Sequence, residues 1–70
     1  MSALTFAELA QIVVEGACDR FVGRPADQNP YSEDWAERAH TSWEFGWGEA
    51  DWMIEARGQE EAARWLEEAS

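Results

Sequence analysis

The chain has 70 residues, enough for one domain and too few for a stable core without large side chains. Five tryptophans can supply that core, and a single cysteine, Cys18, excludes an internal disulfide and any cysteine-based zinc site. Fifteen acids against five arginines and no lysine leave a net charge of −10, a surface that repels phosphate backbones and anionic lipids and attracts basic surfaces, chiefly those that bind nucleic acid.

Thr5 and Glu8 form a T-x-x-E capping box ahead of an apolar periodic run, which predicts a first helix near residues 5–23. Phe6, Leu9, Ile12, Val13, Gly16 and Ala17 recur at helical steps along its buried stripe, and Gly23 and Pro25 stop it. Cys18 projects roughly opposite Leu9 and reads as a half-exposed, functionally silent thiol. Residues 24–32, RPADQNPYS, read as an ordered loop anchored by Tyr31. Ser32 then serves as N-cap for a second helix near 33–57, with Glu33 and Asp34 in its first turn against the positive end of the helix dipole.

That second helix is apolar on two sides. Ala39, Trp43, Gly46, Trp47, Ala50 and Ile54 share one face, while Phe45, Trp52 and Ala56 point the opposite way. Trp43 and Trp47 are expected to be mostly buried against Leu9, Val13 and Gly16. Gly46 should permit close approach of helix one, whereas Gly48 could mark a bend. A third helix near 59–69 carries the stripe Ala62, Trp65, Leu66 and Ala69, which can cover the Phe45 and Trp52 side. The expected fold is all-α: one compact three-helix domain over 1–70 with a long, Trp-rich central helix.

Gly16, Gly23-Arg24, Pro30-Tyr31 and Trp43-x-x-Gly46-Trp47-x-x-Ala50 occur in the order and spacing of a known signature. Over about residues 15–51 the chain resembles the ribosome modulation factor and its small relatives. The resemblance implies a compact helical hairpin in which Tyr31 and the tryptophans are chiefly structural. It also implies an alternative function, that of a ribosome-associated stress factor. Ribosome modulation factor is basic and binds ribosomal RNA; here only Arg20 and Arg24 lie close enough to form a small basic spot.

Residues for catalysis are missing. No Gly-rich phosphate loop, nucleophile elbow or nucleophile–histidine spacing occurs, so the chain is expected not to be an enzyme. His40 shares a helix face with Glu37 and Glu44, but no second histidine and no cysteine joins them, so no metal and no cofactor are expected. No apolar run approaches the roughly 18 residues of a membrane span, and the N-terminal residues lack the pattern of a signal peptide, so a cytoplasmic location is expected.

Eleven of the fifteen acids fall between Glu33 and Glu68. Glu37, Glu44, Asp51 and Glu55, with Glu33 and Asp34 at the start, line one flank of helix two. Carboxylates three to four residues apart on a helix are spaced about 5–6 Å along its axis, similar to phosphates along a strand. These six residues are the candidate partner-binding surface. The expected function is a non-enzymatic acidic inhibitor that mimics nucleic acid and blocks a basic nucleic-acid-binding protein. In size, charge and lack of catalytic motifs the chain is similar to small acidic phage inhibitors such as anti-CRISPR proteins, which makes a Cas surveillance complex a candidate target. The chain is expected to be a monomer or weak dimer, with no direct nucleic-acid or membrane partner.

Overall fold

The computed structural model describes residues 4–69; residues 1–3 and 70, the ends of the expected 1–70 domain, lie outside the described residues. Three helices make the all-α domain: α1 (Phe6–Phe21), α2 (Glu37–Arg57) and α3 (Gln59–Ala69). A single 3-10 turn, Ala26–Gln28, interrupts the connection between α1 and α2.

Thr5 opens α1 through the expected capping box. Its hydroxyl accepts from the Glu8 N–H at 3.1 Å, and the Glu8 carboxylate accepts from the Thr5 N–H at 2.9 Å. These backbone and side-chain bonds to Thr5 hold the Glu8 carboxyl below its ordinary value, because they favour the charged form. At the other end Gly23 takes φ +88, and two bonds close the helix: Gly23 N–H to Arg20 C=O and Arg24 N–H to Asp19 C=O. This is the Schellman arrangement, which needs a residue free to adopt positive φ.

The start of α2 differs from the sequence expectation. Ser32 Oγ accepts from the Asp34 N–H at 3.2 Å and Ser32 C=O from the Ala36 N–H at 2.9 Å, so one turn does close after Ser32. It is not continued, because Ala36 adopts φ −137 and ψ 52 and α2 begins only at Glu37. Ser32 therefore caps an isolated turn, and Glu33 and Asp34 lie in that turn rather than in the first turn of the helix. Serine satisfies the nearest backbone donor whether or not a helix follows. The preceding loop is tied down as expected. Tyr31 donates its hydroxyl to Glu15 at 2.9 Å, Asn29 Nδ2 donates to the His40 carbonyl, and His40 Nδ1 sits 2.9 Å from the Tyr31 carbonyl.

α1 lies against α2 at two glycines. A Cβ built on Gly16 would overlap the Trp43 carbonyl, and one on Gly46 would overlap the Val13 carbonyl. Backbone therefore meets backbone at both positions. Ile12, Ala39 and Trp43 form the core beside this contact, with Leu4, Tyr31, Ala36 and Trp47 packed around them. Trp43 is fully buried and donates its indole N–H to Asp19 at 2.8 Å. Trp47 is only half-buried and donates to the Arg24 carbonyl at 2.7 Å, so of the two tryptophans expected in the core one lies at its edge.

α2 is continuous through Gly48. Gly58 ends α2 with φ 92 and ψ 158, a conformation essentially confined to glycine, and α3 starts at the next residue. α3 buries Ala62 completely while Trp65 and Leu66 are half-buried. It does not cover the outward side of α2 as the sequence reading allowed. Phe45 and Trp52 stay 59% and 56% exposed. α3 lies instead along the junction of α1 and α2, where Leu66 borders a groove with Val14 of α1 and Trp65 one with Met53 of α2. Four small alanines are essentially buried, Ala17 on α1, Ala39 and Ala50 on α2 and Ala62 on α3, a side-chain size that lets the helices approach closely.

Candidate protein-binding surface

The acidic flank of α2 is built by a 3.6-residue repeat that places Glu37, Glu44, Asp51 and Glu55 within a narrow sector, about 80–120° from Trp43. Of these, Glu37, Glu44 and Glu55 are exposed. Among the described residues Glu37 and Glu55 form no ion pair. Glu44 lies 3.6 Å from His40 Nε2, an ion pair only when the imidazole carries both protons.

Asp51 is different. Arg20 of α1 donates Nε–H to its carboxylate at 2.8 Å, with the two side chains 25% and 39% exposed, and the same guanidinium stands 5.7 Å from the centre of the Trp47 ring. Asp51 thus holds α1 to α2, and its charge is matched. Without it the free row is sparser than the sequence suggested. Glu37 and Glu44 are about 10 Å apart along the axis and Glu44 and Glu55 about 16 Å apart, so the row offers one carboxylate for every several phosphates of a strand. Glu33 and Asp34 are exposed in the turn before α2, beside Trp35, which is 88% exposed. The six candidate residues therefore divide into a row of three on α2, a pair on the preceding turn and one interhelical tie.

Both arginines of the small basic spot are engaged. Arg20 serves Asp51, and Arg24 lies 3.7 Å from Asp19. Among the described residues no group of three or more His, Cys, Asp or Glu is placed to hold a metal, and no helix is long and apolar enough to cross a membrane. Cys18 is exposed beside a shallow groove bordered by Val14, Ala63 and Leu66. Burial of the Tyr31 ring, then its bond to Glu15, raises the phenol above its ordinary value. Tyr31 is thus a loop anchor.

The two exposed aromatics beside the acidic row, Phe45 and Trp52, are the feature left open by the sequence, whose wheel placed them opposite the core without deciding what covers them. Trp35 was hidden altogether, because a helix starting at Ser32 makes it one more helical residue.

No known protein settles the assignment. Neither the family models nor the curated proteins nor the solved structures compared with this chain contain a match.

Proposed function

We propose that the protein is a non-enzymatic inhibitor that places the carboxylate-bearing flank of α2 against a basic, nucleic-acid-binding surface of another protein and so competes with nucleic acid. The carrying observation is the row Glu37, Glu44 and Glu55, exposed along a 21-residue helix in a molecule of net charge −10. Glu33 and Asp34 extend the acidic field at the N-terminal end. A row of fixed carboxylates on a rigid helix attracts a Lys- and Arg-lined channel at long range and loses that attraction as salt screens it. Cas surveillance complexes, whose DNA channels are lined this way, remain a target class that fits.

The ribosome-associated reading has less support. Its RNA contacts would need free cations, and Arg20 and Arg24 are spent on Asp51 and Asp19. Affinity capture from lysate with and without nuclease, at rising salt, separates the two. The acidic-inhibitor reading predicts basic nucleic-acid-binding proteins that survive nuclease, leave at high salt and are competed off by DNA. Recovery of ribosomal RNA with the bait would instead establish the ribosome-associated factor.

A further inference from the structure

Phe45 and Trp52 lie on one line of α2, two turns or about 10.5 Å apart, and both remain more than half exposed. Gly48 lies between them on the same outward side. Glycine weakens a helix interior, and the other two helix-interior glycines are accounted for by backbone contact: Gly16 under the Trp43 carbonyl, Gly46 against that of Val13. A methyl group on Gly48 would meet nothing within 4 Å. The open notch at Gly48, between two exposed aromatic rings, matches the arrangement by which this chain already admits one helix against another. Among the described residues nothing occupies it.

The chemistry of an occupant follows from what borders the stripe. Glu37, Glu44 and Glu55 run alongside it, roughly 60–100° round the helix. The molecule already contains one ligand for such a combination: Arg20 sits over the Trp47 ring at 5.7 Å while its Nε–H binds Asp51 at 2.8 Å. A planar guanidinium can stack on a ring and donate to a carboxylate together, which an ammonium does less well. We infer that the Phe45–Gly48–Trp52 stripe is a docking face for an arginine-bearing amphipathic helix of a basic partner protein, its backbone over Gly48 and its guanidinium groups between the two rings and the Glu44 and Glu55 carboxylates. The inference rests on the acidic-surface reading above and names the element of the partner that this surface takes. A second copy of the chain fits less well, because an antiparallel two-fold contact through this stripe would set the glutamate row beside its own equivalent.

The test uses two synthetic amphipathic helical peptides of equal length and charge, one with arginine and one with lysine as its only cation, titrated into the full chain. The arginine peptide is expected to bind about tenfold more tightly than the lysine peptide. Gly48→Leu should raise the melting temperature, since leucine is the better helix former at an open site, yet weaken the arginine peptide by about tenfold or more. Phe45→Ala and Trp52→Ala should erase the preference for arginine. If these stripe variants bind as the parent does while Glu44→Arg with Glu55→Arg abolishes binding, the docking stripe is refuted and the acidic-surface reading stands. If the charge reversal also has no effect, both fall. Failure of the parent to bind the arginine peptide, or a parent dimer that Gly48→Leu dissolves, likewise overturns the stripe.

Discussion

At the scale of single residues, the three glycines inside helices have opposite consequences. Gly16→Ala or Gly46→Ala forces a Cβ into a backbone carbonyl that no rotamer change can move. Either should cost about 3 kcal/mol or more, the upper end of overpacking penalties, and so remove much of the stability of a domain this size. Gly48→Ala should stabilise by about 0.5–1 kcal/mol, because its site is open. Urea or thermal unfolding of the three variants checks the contrast, and a destabilised Gly48→Ala would place an unseen contact on the outward face. Trp43→Ala should cost about 3–5 kcal/mol, and Trp47→Ala clearly less. The sequence reading expects both tryptophans to be mostly buried, since both fall on the apolar arc; only the crossing of α1 decides which one is enclosed. Asp51 was likewise unreadable as a tie, because its partner Arg20 is 31 residues away on another helix.

At the scale of elements, helix identity was legible and helix placement was not. The capping box at Thr5 and the positive-φ Gly23 are local signals and appear where expected, whereas the stripe of α1 is only partly buried. Ile12, Gly16 and Ala17 are enclosed and Leu9 and Val13 half-buried, but Phe6, expected on the same stripe, is 88% exposed because it lies about two turns before the crossing with α2 at Val13 and Gly46. The beginning of α2 was misplaced because Ser32 makes the same short-range bonds in an isolated turn as at a helix start. α3 was identified correctly, but its direction is set by the backbone of Gly58, which side-chain periodicity does not encode. Two pH effects belong to these elements. Glu8 has a lowered folded value, so the capping box contributes fully above the ordinary value of 4.5 and its contribution is lost as pH falls through the lowered one. Thermal melts of Glu8→Ala should therefore decline less than those of the parent on acidification through that window. Tyr31 has a raised folded value, so its contribution is fully present below 10.0 and is lost as pH rises through the folded value; Tyr31→Phe should remove this alkaline loss. A parent and Tyr31→Phe that lose stability in parallel would take Tyr31 out of the loop's anchoring.

At the scale of the whole molecule, charge is asymmetric in use as well as in number. The basic groups Arg20 and Arg24 serve the fold, Glu8 caps α1 and Glu15 receives Tyr31, while Glu37, Glu44 and Glu55 stand free of arginine along the outward flank of α2. Reversal of Glu8, Glu15 or Asp51 would confound binding with folding. Glu44 and Glu55 carry no such structural duty. The most direct measurement is displacement of labelled DNA from a basic protein recovered by the capture experiment, comparing the parent, Glu44→Arg with Glu55→Arg, and Asp27→Arg with Glu68→Arg. The two double variants have the same net charge, and melting curves verify that both fold. A localised acidic surface predicts that the α2 pair loses displacement while the Asp27 and Glu68 pair retains most of it at physiological salt. Equal weakening by both pairs would contradict it, since net charge alone would then account for the attraction.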